Sequence, residues 1–380
     1  MTKTSGATTV SLTPPPFTPQ PYSPAAPYES PRREPRSLAP LGLLLVPLLF
    51  VGFMIFGVSY FMSSEPEIEL QPGIGVAVVD GREVVLAPYE RLGTRGMFQL
   101  MTKDMTQVRL AAADPATGEV LWDTQLSDEM IRTAAVLAAG ERYAYVVTDS
   151  GLTIVDIRDG SVVAKGDGIE GLGQAFVAEP AAYGYDAQNR RVMSLSANGD
   201  VLAIPLDTAA ATPADEQTTQ AWAGKLSVDG SSASEPSATA LKGDLSQGGQ
   251  LELRARPGGG PGTVLVYVSS GGRETLVGGT VFHGASLVVD GASPAGALAG
   301  HVLIKHSRSV NDKDPEFSVV SLTTGGVMSS LPVESSPKRA ITLSDGTTAV
   351  VLRNELVVMG PDGRVISLSV GASDFFGEPS

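Results

Sequence analysis

The 380 residues include no cysteine. That excludes disulfides, lipid attachment through a cysteine and cysteine-based metal sites. Histidine is scarce, with three residues, and so is tryptophan, with two; aromatics make up 6% of the chain. A rim of stacked aromatic rings for sugars is therefore not expected. Basic residues are outnumbered, 27 Lys and Arg against 41 Asp and Glu, for a net charge of −14. An acidic chain without a basic stripe has no electrostatic footprint for DNA or RNA, so no nucleic-acid partner is expected. Abundant Ala, Gly, Val and Arg with little Lys suggest a high-GC bacterial genome.

One charge is missing locally. Residues 37–64 contain no Asp, Glu, Lys or Arg, and their centre reads LGLLLVPLLFVGFMIFGVSYFM, Leu41 to Met62. About 20 apolar residues in a helix cross a bilayer core of about 30 Å, so a transmembrane helix is predicted over 38–62. Pro47 is tolerated in such a helix, and Gly52 and Gly57 miss the GxxxG spacing of helix dimers. A cleaved signal peptide fits less well, because 36 residues precede the run and no A-x-A site follows. Arg32, Arg33 and Arg36 stand before it, and Glu65, Glu67 and Glu69 after it. The positive-inside bias then leaves the N-terminus in the cytoplasm and the C-terminal bulk outside. The expected localisation is a single-pass protein of the cell membrane, with the lipid bilayer as partner of the helix.

Residues 1–36 hold nine prolines and a net charge of +2, which leaves −16 for residues 65–380. The tail carries too little apolar material for a core and is predicted to be a disordered, Pro-rich cytoplasmic segment. Residues 63–72 are read as a linker and 73–380 as an extracytoplasmic domain. That domain must rely on its core for stability, and its size suffices.

Past Pro72, short β-branched and apolar runs alternate with Gly and Asp turns, as in GVAVVDGREVVLAPY (75–89), YAYVVTDSGLTIVDIRDGSVVAKG (143–166) and ELVVMGPDGRVISLSV (355–370). D-G and N-G pairs between such runs mark tight hairpins. DEMIRTAAVLAAG (128–140) reads as a helix or as a strand leading into Gly140. Turn glycines fall at Gly81, Gly118, Gly160, Gly199, Gly325 and Gly363, about 40 residues apart except for the interval from Gly199 to Gly325, which equals three such periods. Several strands per 40-residue unit predict an all-β fold, a β-propeller of seven blades, or eight, with a loop-rich insertion around 207–262.

Residues 111–122, AAADPATGEVLW, resemble the repeat of PQQ-like propeller proteins: a small-residue strand, Asp114, the Thr117-Gly118 turn, then a strand ending in Trp122. The resemblance implies that Trp122 packs between neighbouring blades and that Asp114 and Thr117 tie the hairpin. IVDIRDGSVVA (154–164) and VMSLSANGDVLA (192–203) look like degenerate copies, with Asp156 in the place of Asp114. The family's dehydrogenases hold a quinone and Ca²⁺ with the help of a disulfide of adjacent cysteines, which this chain cannot form. The resemblance therefore implies the non-enzymatic members, which act as platforms facing the envelope.

No motif argues for catalysis. His301 and His306 are five apart and point to opposite faces if HVLIKH is a strand. NDKDPE (311–316) lacks the Gly and the distal Glu of a calcium loop. SSPK (335–338) has the S-x-x-K order without a K-T-G element. GIEGLG (168–173) is not the GxGxxG of a dinucleotide turn. The expectation is a binding or scaffolding protein of the cell envelope without metal or cofactor, whose partner is an envelope protein or polymer. The other class is an envelope oxidoreductase or hydrolase working in the propeller channel. Trp222, in QTTQAWAGK (217–225), is the aromatic to place: at a rim, or as a plug of the core.

Overall fold

The computed structural model describes residues 39–129, 133–228 and 237–377. The Pro-rich tail lies outside these residues. The chain divides into two compact units, Met1–Val51 and Gly52–Ser380.

What is described of the first unit belongs to the helix Ala39–Gly52, which contains Pro47 and exposes Leu48, Leu49 and Phe50. The single helix expected over 38–62 is divided into Ala39–Gly52, a π-helical turn Phe53–Gly57 and the α-helix Val58–Met62. None of the helices among the described residues is long and apolar enough to cross a membrane.

The second unit is almost entirely β. Its strands form six antiparallel sheets in chain order, except that Thr239–Ala240, which precedes the fourth sheet, pairs with His283–Asp290 of the fifth. The first has five strands: Glu67–Leu70, Gly75–Val79, Arg82–Leu92, Thr106–Ala113 and Val120–Ser127. The second runs from Ala134–Ala139 to Val162–Lys165, and the third from Tyr183–Asp186 to Thr212–Pro213. The fourth spans Lys242–Asp244 to Glu274–Leu276. The fifth is built on His283–Asp290, His301–Ser307, Pro315–Ser321 and Val327–Pro332, and the sixth runs from Arg339–Thr342 to Val365–Leu368. Residues 63–72 contribute the strand Glu67–Leu70, paired with Tyr89–Leu92. The ambiguous stretch 128–140 contains the strand Ala134–Ala139.

Neighbouring sheets share apolar layers, as alternating inward side chains require. Leu86, Leu110 and Ala112 of the first sheet meet Ala144, Val146 and Val155 of the second. Tyr145 and Ile154 meet Tyr183, Val192 and Ile204 of the third. Leu251 and Leu265 of the fourth meet Leu287, Val302 and Ile304 of the fifth, and Leu303 and Val319 of the fifth meet Val350 and Val357 of the sixth. The last layer closes the series on its beginning: Leu70, Val85 and Ala111 of the first sheet pack with Val351, Leu356 and Leu368 of the sixth. Polar links reinforce this closure, with Leu70 N–H donating to the Arg353 carbonyl (2.8 Å) and Lys338 Nζ to Glu69 (2.9 Å). The third sheet differs. Its Met193, Val201 and Ala203 are covered by Leu226 and Trp222 rather than by another sheet.

The length of the domain at about 42 residues per unit predicts seven blades, or eight, and the described residues form six sheets. Gly81 and Gly118, read as turns of successive units, fall in one sheet, at its first and last hairpins. The long interval from Gly199 to Gly325 is partly spent on the helix Glu216–Trp222 and its flanking loops.

Candidate functional site

The repeat motif comes first, because it explains how the sheets are joined. Asp114 is buried, and its Oδ1 accepts from the amides of Ala116 (2.8 Å) and Thr117 (3.3 Å). Gly118 N–H donates to the Asp114 carbonyl at 2.8 Å, and the Gly118 φ of 81° is one that side chains rarely adopt. Thr117 Oγ1 accepts from Glu119 N–H. Asp156 repeats the arrangement: it accepts from Arg158 N–H (3.0 Å), and Gly160 N–H donates to its carbonyl (2.9 Å). Trp122 spans two sheets. Its indole N–H donates to the Ile157 carbonyl at 2.8 Å, and its ring lies on the second sheet's turn, where a Cβ at Gly160 would come within 2.6 Å of Cε3.

The same position is filled elsewhere by other residues. Leu368, on the last strand of the sixth sheet, covers Gly118, and Met328, on the last strand of the fifth, covers Gly363. Sequence reading finds only the Trp, because Leu and Met in a strand carry no signal of their own.

Carboxylates make further ties between sheets. Asp207 Oδ1 accepts from Arg142 N–H (2.7 Å), Asp290 from Thr342 N–H (2.9 Å), and Glu83 from Ser344 N–H and hydroxyl (2.8 and 2.7 Å). Part of the acidic excess thus serves backbone donors of a neighbouring sheet.

A cleft of about 660 Å³ lies where the third sheet meets the helix Glu216–Trp222. Asp215 caps this helix, accepting from Thr218 N–H (2.9 Å) and hydroxyl (2.8 Å). Arg191 holds both sides of the cleft, donating through Nε to Asp186 (3.0 Å) and through Nη2 to Thr218 Oγ1 (2.8 Å). Asn189 Nδ2 also donates to Asp186 (2.9 Å). Trp222 is half-buried, its edge against Gly184, where a Cβ would lie 2.7 Å from Cζ3. Lys225 Nζ stands 4.6 Å from the ring centroid. Tyr185, Gln188 and Gln217 complete the lining. Trp222 is thus both a plug over Met193 and Val201 and a wall of the cleft.

Neither acid of the cleft is set up as a general acid. Hydrogen bonds from Thr218 hold Asp215 below the usual carboxylate range. Burial raises Asp186, but the hydrogen bonds from Asn189 and Arg191 outweigh it and leave the group lowered. Two carboxylates kept ionised act as acceptors that shape the cleft, whereas a general acid needs a raised pKa.

The other candidates separate. Among the described residues no group of three His, Asp or Glu is placed to hold a metal ion. His301 is buried and burial pushes its pKa down, while His306 Nε2 bonds the buried Ser318 hydroxyl at 2.8 Å. Asp312 accepts from Asp314 N–H within its own loop. Ser335 Oγ accepts from Arg353 N–H, and Lys338 is engaged by Glu69 and the Leu70 carbonyl. Gly171 of GIEGLG lies against the Ala211 carbonyl.

No family model matches the chain, and no curated protein matches its sequence. Solved structures similar to it include PorZ, a surface component of the type-IX secretion system of Porphyromonas gingivalis. The identity is 11%, over 82% of this chain and 39% of PorZ, with a TM-score of 0.26. The chain therefore spans well under half of PorZ. A quinoprotein alcohol dehydrogenase-like protein from Bacteroides thetaiotaomicron is 13% identical over 80% of this chain and 66% of its own, with a TM-score of 0.23. The dihydro-heme d1 dehydrogenase NirN is 13% identical over 77% and 54%, with a TM-score of 0.24. At such scores these likenesses decide nothing about what the chain does.

Proposed function

We propose that this chain is a membrane-anchored binding or scaffolding protein of the cell envelope, and that its partner is an envelope protein or polymer held at the Tyr185–Trp222 cleft. The observation that carries the binding role is the lining of that cleft. An aromatic face, a tyrosine and the three primary amides of Gln188, Asn189 and Gln217 converge on a concave site whose carboxylates are locked as acceptors. Such a lining suits recognition of polar groups on an apolar frame. A propeller is the architecture that best accounts for six serial sheets with the first packed on the last.

The anchor reading rests on sequence and local structure together. The helical segments of 14, 5 and 5 residues follow one another from Ala39 to Met62 without a charged residue. A π turn occurs inside longer helices as a local insertion, so the division at Phe53 is compatible with a spanning role. The arginines before and glutamates after it favour a cytoplasmic tail and an extracytoplasmic domain.

A photo-crosslinking residue placed at Gln188 tests the binding role in the full-length protein in its own membrane. It should give a defined adduct that the same residue at Met328, on the fifth sheet, does not. No adduct at Gln188, or equal labelling at both positions, would contradict the assignment of the cleft.

A further inference from the structure

The helix Gly96–Thr102 interrupts the first sheet between the strands Arg82–Leu92 and Thr106–Ala113. Its sequence, GMFQLMT, contains no charge. It packs beside the segment Phe53–Met62, which belongs to the same unit. The Phe98 ring meets Phe56 edge-on at 6.2 Å, Met97 N–H donates to Ser59 Oγ at 3.0 Å, and the Arg95 guanidinium lies 4.4 Å above the Tyr60 ring. Near the C-terminus, Phe375 stacks on Phe98 at 5.6 Å and Phe376 meets it edge-on at 5.4 Å.

The outer surface of this assembly is apolar. Met97, Leu100, Met101 and Met105 are exposed, as are Phe61, Met62 and Phe376, with Met101 at 71% and Met62 at 82%. Isolated exposed apolar residues are ordinary, whereas a contiguous group of large ones marks an interaction surface. The one polar side chain in the middle of the helix is satisfied from within. Gln99 is fully buried; its Oε1 accepts from Arg91 Nη2 (3.0 Å) and Arg95 N–H (2.9 Å), and its Nε2 donates to the Asp374 carbonyl (2.9 Å). A satisfied Gln99 suits a surface that faces lipid, and at its margin Arg95 is paired with the exposed Glu65 at 2.9 Å. Arg95 and Lys103 flank the helix on either side.

We propose that the helix Gly96–Thr102, with the Phe375–Phe376 turn, dips into the outer interface of the bilayer and seats the β domain on the membrane. The occupant of this surface is the lipid itself. The chain argues for this choice. Phe53, Met54 and Ile55 of the charge-free run are exposed as well, and the short helix packs alongside that run, at Phe56 and Ser59, rather than beyond its end. Whatever depth Phe56 reaches, Phe98 reaches nearly the same. The inference rests on the anchor reading of residues 39–62.

The absence of native cysteine gives a direct test. Single variants Met62→Cys, Met101→Cys and Met328→Cys of the full-length protein are labelled with an environment-sensitive fluorophore. They are then reconstituted in phosphatidylcholine–phosphatidylglycerol vesicles containing lipid brominated on its acyl chains. The label at Met101 should be quenched about as strongly as that at Met62, while Met328 is unaffected. Quenching at Met62 without quenching at Met101 overturns the seating and leaves the anchor standing. Quenching at neither overturns both. Fluorophore self-quenching at Met101 in place of quenching by bromine shows that a second copy of the chain covers the patch, and also overturns the proposal.

Discussion

At the scale of residues, the joints between sheets rest on single side chains laid over turn glycines. Trp122 is the largest of them. Trp122→Ala removes a half-buried ring and an interstrand donor, and should cost about 3 kcal/mol by lost transfer energy and cavity formation. Trp122→Phe keeps most of the packing and should cost about 1 kcal/mol through the lost hydrogen bond to Ile157. Thermal unfolding of the two variants side by side separates packing from the hydrogen bond. Gly160→Ala should also destabilise, by about 1 kcal/mol or more. Its φ is 74°, and the new methyl would press on Trp122. Alkali reads a different set of groups. Burial, and then the charge of Asp123, holds the Tyr89 hydroxyl protonated well above the usual tyrosine range. Burial also raises Tyr145 and Tyr183. An unfolded tyrosine ionises near about pH 10 while these stay protonated in the fold, so the native state binds more protons above that pH. These tyrosines therefore add no pH dependence between neutrality and about pH 10, and stability should fall as pH rises beyond it. A melting temperature unchanged between neutrality and strong alkali would contradict this.

Residue-scale legibility followed chemical rarity. Trp122 could be singled out because only two Trp exist and because it ends a specific motif. Its counterparts Leu368 and Met328 could not be, since the position is kept while the residue changes. Asp207 and Glu83 were equally hidden, because their partners lie far off in sequence and surface carboxylates carry no pattern.

At the scale of elements, hairpins were read well and their grouping was not. Local turn chemistry reports a hairpin, and Asp114, Gly118, Asp156 and Gly160 show it. Which hairpins share a sheet depends on pairing over long distances, so Gly81 and Gly118 were credited to different blades. The helix Glu216–Trp222 was missed because seven residues hold too few turns for a helical period to stand out. Asp215 starts it. Asp215→Ala should fray the helix and speed amide exchange at Thr218 while the sheets keep their protection. Trp222→Ala should now cost more than a loop residue would, about 2 kcal/mol, because the ring covers Met193, Val201 and Leu226. The same variant should abolish the crosslink at Gln188. A crosslink that persists would place the partner elsewhere.

At the scale of the whole molecule, closure of the series is the structural fact on which the domain depends. Glu67–Leu70, read from the sequence as linker, packs instead on the sixth sheet, and the fully buried Leu70 lies at the centre of that layer. Leu70→Ala should cost about 3 kcal/mol, as a truncation in a core does. Glu69→Gln, at a partly exposed ion pair with Lys338, should cost about 1 kcal/mol or less. The proposed function adds a location: an anchor in residues 39–62 and a β domain that works outside the cytoplasmic membrane. Impermeant-thiol labelling of the full-length protein in intact spheroplasts tests it most directly, using Met328→Cys and Thr4→Cys as the two reporters in a chain without native cysteine. The account requires that the protein sediment with membranes, that Met328→Cys be labelled at once and that Thr4→Cys be labelled only after permeabilisation. Labelling in the reverse order, or recovery of the protein in the soluble fraction, would contradict it.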